Sequence, residues 1–395
     1  MPEMIADLPV CPLSREEELH WLALILIPGL GTRMAGKLLD RFRSPEAVFR
    51  ASRTELEGAG LSGAVAQSIS SGCSFEDALD QQQRISAAGA SVIPRNDPRY
   101  PALLREIFDP PVLLFARGRL ELLQPFHFAI VGTRRPTPYG LAVAEKLGGD
   151  LARAGLTIVS GMARGVDTTA HKGALAAGGD TIAVLGCGVD VVYPSENRKL
   201  AADLAAKGLI ISEFAMGSTA FPQNFPIRNR IISGISSGVL VVEGAQYSGS
   251  AITAKLALDQ GREVFAVPGN ITSQASWGPN LLIKQGAKLV QDWNDVIVEL
   301  PPEVRRQLIE RGRNRLLGSG DASAGAESAS QLEGTLPEIG RRLLATLQVE
   351  TAIHLDNLLE ILQDSSASEL IAALFELEML GLVKQLPGKN FVKVW

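Results

Sequence analysis

Two arginines, each set in a glycine-bearing loop, are the side chains best suited to chemistry in this chain. Arg134 lies in F-A-I-V-G-T-R-R-P-T-P-Y-G (128–140), and Arg164 lies in L-T-I-V-S-G-M-A-R-G-V-D (156–167). In both stretches an apolar run of four or five residues leads into the loop, and a helical pattern follows. Two successive units of this kind predict neighbouring parallel strands, with both loops at the carboxyl ends, where open parallel sheets bind ligands. The chemistry predicted is anion binding. Gly132 lets the backbone come close, and Arg134 offers a rigid fork of donors suited to phosphate oxygens. Pro136 and Pro138 predict a helix opening near 138, with free N–H groups facing the loop. No G-x-G-x-x-G and no Walker lysine motif is present, so a standard mononucleotide cradle is excluded. A nucleic-acid backbone or an unusual nucleotide enzyme fits what is left. The plainer alternative is that Arg134 and Arg135 are solvated loop charges.

The elements that must position these loops are legible along the 395 residues. Residues 1–75 read as a small helical domain. Ser14 caps a helix through W-L-A-L-I-L-I, and L-I-P-G-L-G-T-R-M-A-G-K resembles a helix-hairpin-helix, a form that can hold a phosphate. Residues 76–300 read as one sheet domain, which short strands at 90–94 and 111–118 extend. Further strands are predicted at 181–188, 209–214, 238–243 and 263–269. Ser195 is expected to cap one helix, and Ser248 to Ser250 to open another. Residues 301–334 form a Gly/Ala/Ser-rich linker. Residues 335–395 predict three amphipathic helices, near 338–348, 355–363 and 367–381, and then a β-hairpin turning at Pro387-Gly388-Lys389-Asn390. Three helices and a hairpin make a winged helix.

Composition narrows the function classes. Net charge is −5, and residues 127–300 carry 15 Lys/Arg against 14 Asp/Glu, so a basic patch must arise by placement. The winged-helix segment is acidic, which favours a protein-contact or regulatory role for it. Cys11, Cys73 and Cys187 are far apart, and neither they nor the four histidines cluster at metal-ligand spacing. No metal, cofactor, secretory signal or membrane span is expected, and the cytoplasm is the default compartment.

At this point the motifs V-G-T-R-R-P-T-P-Y-G, S-G-M-A-R-G-V-D-T-T-A-H, F-P-I-R-N-R-I-I-S-G-I-S, V-V-E-G-A-Q-Y-S-G-S-A-I-T-A and G-R-E-V-F-A-V-P-G-N can be taken together. In combination they resemble the DNA-processing protein A (DprA/Smf) family over nearly the whole chain. The resemblance implies an α/β fold: an extended Rossmann-like parallel sheet with an N-terminal helix-hairpin-helix or SAM-like domain and a C-terminal winged helix. It implies a non-enzymatic, homodimeric binder of single-stranded DNA that protects incoming strands in natural transformation and helps load the recombinase RecA. Gly132, Thr133, Arg134 and Arg164 are the implied pocket, Arg164 standing where the family often has Lys. Ser160, Gly161 and Gly165 are expected to add backbone or hydroxyl contacts. Arg228, Asn229 and Arg230 are expected to make further phosphate or structural contacts. Trp277 departs from the family pattern; it is expected to pack into the domain, with base stacking as the alternative.

Two other readings compete. Rossmann-like phosphoribohydrolases need a P-G-G-x-G-T-x-x-E run, which the stretch from Glu243 lacks, leaving Asp167, Glu213 and Glu243 as acids without a positioned nucleophile. In the plainer view Asp167 caps the following helix and Glu243 bonds backbone N–H groups. A regulatory nucleotide binder is the third reading.

Overall fold

In the computed structural model the described residues are 13–124, 126–245, 248–301, 304–306, 308, 338–348, 352–362, 366, 369–371, 373, 374, 377, 383–386 and 388–393. The chain divides into two compact units, Met1–Gly312 and Arg313–Trp395.

The first unit is built on a nine-stranded sheet. Its strands are β1 (Ser91–Pro94), β2 (Leu113–Gly118), β3 (His127–Val131), β4 (Thr157–Ser160), β5 (Thr181–Val184), β6 (Leu209–Ser212), β7 (Gly238–Val241), β8 (Glu263–Ala266) and β9 (Lys288–Leu289). Their order across the sheet is β1-β2-β6-β5-β4-β3-β7-β8-β9. From β3 to β9 every pairing is parallel, while β1 and β2 extend the edge antiparallel.

Strand alternation explains the layers. In β3, Phe128 and Ile130 point to one face, and Ala129 and Val131 point to the other. The first face is covered by helices Pro138–Arg153, Val166–Ala176 and Arg198–Lys207, and the second by Asn224–Ile235 and Gly249–Asp259. The chain thus steps from β3 through β4 and β5 to β6 with its crossovers on one face. It then starts again beside β3 with β7 and works outward the other way, the consequence of right-handed crossovers.

Among the described residues six helices precede the sheet. The first, Arg15–Ile25, opens with Ser14 and Glu17 in a reciprocal capping box, and stops three residues ahead of Pro28. The second, Thr32–Phe42, has Gly31 ahead of it and no side-chain cap. Helix Phe75–Ala88 was not read from the sequence; its buried Ala78, Gln81 and Ile85 pack it against the bundle. The apolar interior of these helices runs on into Leu113, Phe115 and Ile210 of the sheet, one continuous core.

The second unit contains helices Glu338–Thr346 and Leu355–Ile361 and a small sheet of order β10-β12-β11, with β10 at Ile353–His354, β11 at Val383–Leu386 and β12 at Asn390–Lys393. Leu343, Leu358, Leu374 and Phe391 fill its core. Residues 369–371, 373, 374 and 377 of the expected third helix are helical. Pro387 of the expected turn and nearly all of the expected linker lie outside the described residues.

Candidate nucleic-acid interface

The helix after β3 begins at Pro138, as the sequence predicts, and Thr137 caps it, its hydroxyl accepting from Gly140 N at 3.2 Å. The electrostatics there differ from expectation. Glu243, buried at the end of β7, accepts from Thr137 N at 2.9 Å and from the Thr137 hydroxyl at 2.6 Å. An internal carboxylate therefore fills the helix N-terminus predicted to attract an external anion. This is also the point where the strand order reverses, between β3 and β7, the usual ligand crevice of such sheets. The available surface is displaced toward the loops after β3, β4 and β5.

Those loops interlock. Thr133 N donates to Glu243 O at 2.7 Å, and Val166 N donates to Thr133 O at 3.2 Å. Gly165 sits at φ +79°, where a Cβ would lie 2.5 Å from Thr133 O, so only glycine permits the two loops to touch. Arg134 and Arg164 are both exposed at the rim. With Gly161, Arg228, Tyr193 and Phe225 they line a pocket of about 30 Å³, room for water rather than a nucleotide.

The rim is aromatic as well as cationic. Tyr193 and Phe225 stack with centroids 5.5 Å apart, and the Arg134 guanidinium lies 5.2 Å from the Phe225 centroid. Arg164 is ion-paired with Glu196, both side chains being more than half exposed. Sequence reasoning missed Tyr193, Glu196 and Phe225. Their signal was an aromatic or acid in a strand-end loop or at its helix entrance.

The other expected contacts lie beneath the surface. Ser160 is buried and donates its hydroxyl to Ile130 O at 2.6 Å, so it ties β4 to β3. Arg228 is buried and donates to Gly161 O at 2.8 Å and to Val184 O, clipping the β4 and β5 loops to helix Asn224–Ile235. A Cβ on Gly161 would lie 2.5 Å from that guanidinium. Burial pulls Arg228 down to about 10, so it stays charged at neutral pH. Arg230 makes a two-pronged ion pair with Glu213 at 2.6 and 2.7 Å and meets Asp109 at 2.9 Å. Asn229 donates to Gly249 O at 3.4 Å. For this triplet the structural alternative describes the contacts present. Neither Asn229 nor Arg230 lines the pocket.

The three candidate acids are committed likewise. Asp167 does not cap its own helix. From the first turn it reaches back to accept from Gly161 N at 3.2 Å and Ala163 N at 3.4 Å; burial raises its carboxyl, against the pull of Arg228. Glu213 serves Arg230, and Glu243 serves Thr137. Burial pushes the Cys187 thiol up to about 11, so it is protonated at neutral pH and a poor nucleophile. Cys73 and Cys187 are unbridged, and Cys11 lies outside the described residues. Trp277, expected to pack inside, is 41% exposed at the start of helix Trp277–Lys284. Among the described residues no group of three or more His, Cys, Asp or Glu could hold a metal, and no helix is long and apolar enough to cross a membrane.

A doubly wound parallel sheet with an aromatic, cationic rim at its carboxyl edge, together with a winged helix, defines a Rossmann-like α/β protein with an appended winged-helix domain. The family model of DNA recombination-mediator protein A matches residues 91–301, and that of the DprA winged helix domain matches residues 327–389. The chain belongs to this DprA/Smf family. Protein Smf of Synechocystis sp. is 34% identical over 409 residues, spanning 96% of this chain and 99% of that protein. DNA processing protein DprA of Bacillus subtilis is 45% identical over 214 residues, 54% of this chain and 72% of that protein. The X-ray structure of DNA processing protein A from Streptococcus pneumoniae superposes with a TM-score of 0.62 at 34% identity, covering 74% of this chain and 99% of that one.

Proposed function

We propose that this protein binds single-stranded DNA along the carboxyl-edge rim, without catalysing a reaction on it, and acts as a recombination mediator that protects incoming DNA and helps load RecA in natural transformation. The observation that carries the reading is the rim itself. Arg134 and Arg164 come from adjacent parallel strands, with the Tyr193–Phe225 ring pair beside them. Arginines seat phosphates, and ring faces stack bases whatever their identity, a combination suited to a strand read without sequence preference. Gly132, Thr133, Gly161 and Gly165 shape the two loops, while Ser160 and Arg228 hold them from below. The buried acids near the site, Asp167, Glu213 and Glu243, are all engaged in structural bonds, which supports a binder rather than a hydrolase. Family membership supports the mediator role; RecA as a partner, a homodimeric state and a cytoplasmic location belong to the same proposal.

The test is fluorescence anisotropy of labelled oligo-dT with the full chain and with Arg134→Ala, Arg164→Ala and the double variant at two salt concentrations. Each phosphate contact removed is expected to lower the slope of log K against log salt by about 0.7 to 1. Undiminished affinity and slope in the double variant would move the strand elsewhere on the molecule. A mononucleotide bound more tightly than the oligomer would favour a nucleotide-binding regulator. RecA loading is read separately, as faster filament assembly on strands precoated with a single-strand binding protein.

A further inference from the structure

A second cavity, of about 180 Å³, lies between helix Arg198–Lys207 and the sheet. Its walls are apolar, with Leu185, Val191, Ala205 and Ile210 among them. Its lining contains two polar side chains, Arg117 of β2 and Arg198 at the start of the helix, and no acid. Arg117 is only partly exposed. Neither arginine has an ion pair or a side-chain hydrogen bond among the described residues, in contrast to Arg119, which pairs with Glu121 and Asp180. One wall is fixed in place. Met162, fully buried at φ +54°, accepts from Asn197 Nδ2 at 2.8 Å, and Asn197 is the residue ahead of the helix.

We propose that this cavity is a binding site for a small organic anion with a compact apolar body, the charge held by Arg117 and Arg198 and the hydrocarbon part seated among Leu185, Val191, Ala205 and Ile210. The volume suits such a body, since a cavity of about 150 Å³ admits benzene. The charge is argued from Arg117, a partly buried cation without an ion pair among the described residues, which gains most from an anionic ligand; Arg198, exposed at the mouth, adds a second donor. The apolar body is argued from the walls. A nucleobase would bury several donors and acceptors against side chains that cannot answer them, whereas a ring or short alkyl group loses nothing there. An aromatic or aliphatic carboxylate is thus the class that fits. The cavity adjoins the rim, with Leu185 in the lining of both, but the inference does not depend on strand binding there.

The experiment titrates the full chain with benzoate and, as the neutral twin of the same shape, with benzamide, by calorimetry and by the methyl resonance of Met162. Benzoate is expected to bind saturably and shift that resonance, with benzamide at least tenfold weaker. Arg117→Gln is expected to weaken benzoate at least tenfold. Ala205→Phe, which fills the cavity, is expected to abolish binding while its unfolding temperature and oligo-dT affinity stay near wild type. No saturable benzoate binding would overturn the proposal, as would equal affinity for benzamide or binding that survives both substitutions. Should Ala205→Phe fail to fold, Arg117→Gln and the benzamide comparison still decide the matter.

Discussion

Glu196 stands where a phosphate is proposed to sit. Its carboxylate is ion-paired with Arg164, and their side chains are 57% and 63% exposed. A strand that seats a phosphate on Arg164 must displace this carboxylate and then tolerate its charge nearby. Substituting Glu196→Gln removes the competitor while keeping the side chain's size. Exposed ion pairs are weak, and solvent screens them, so the gain is modest: strand affinity is expected to rise about two- to fivefold. The assay is anisotropy with oligo-dT at low and at physiological salt, run as a cycle of wild type, Glu196→Gln, Arg164→Ala and the double variant. The gain should shrink as salt rises, because screening weakens both the pair and the repulsion. It should shrink to the part due to repulsion when Arg164 is absent, because the competition itself acts through that guanidinium. A gain of the same size in the Arg164→Ala background would refute the competition, and an unchanged or lower affinity in Glu196→Gln alone would refute it outright.

Other outcomes follow from the site and its support. Phe225→Ala, measured by the same anisotropy, should weaken the strand by about 1–3 kcal/mol, the worth of one stacked base, with the salt slope unchanged. Arg228→Met should lower unfolding stability by about 2–4 kcal/mol in denaturant titration, because it leaves the buried Gly161 and Val184 carbonyls without their donor. His171 is fully buried, its Nδ1 against the Thr181 hydroxyl at 2.7 Å, and burial pulls it down to about 3. Between about pH 6.5 and 3 the unfolded chain binds a proton there that the folded chain refuses, so this residue's contribution falls as pH falls, by about 1.4 kcal/mol per pH unit. Asp167, raised by burial, works in the opposite sense, so the comparison is wild type against His171→Gln in unfolding titrations at pH 6 and pH 4. The variant should lose less stability over that interval.

The sheet was largely legible because its code is local. An apolar run such as Phe128–Val131, closed by Gly132, announces a buried strand, and Pro138 announces its helix within a few residues. Arg134 and Arg164 were legible for the same reason, since strand-end loops of a parallel sheet share an edge. Partnership across the fold was not legible. Arg230 finds Asp109, 121 positions away, and Thr137 finds Glu243, 106 positions away; no period or spacing in the sequence encodes such meetings. A guanidinium that clips two carbonyls together and one that waits at the surface read alike as letters. That is why Arg228 could be placed near the pocket from its motif but not beneath it. Helix Phe75–Ala88 was overlooked because only Ala78, Gln81 and Ile85 of its residues are buried, too sparse an apolar stripe to stand out.

The carboxylate that Glu243 lays against Thr137 has a consequence for selectivity by length. The crevice in which folds of this outline usually grip a single nucleotide is stoppered by the protein's own side chain, and what is left is a shallow ledge. A lone nucleotide on that ledge would make the contacts of one phosphate and one base and leave quickly. A longer strand reaches both cations and the rings at once, so each added contact slows its departure. Dwell time should therefore climb with oligomer length until the ledge is spanned, and a cell full of free nucleotides would offer this surface little competition.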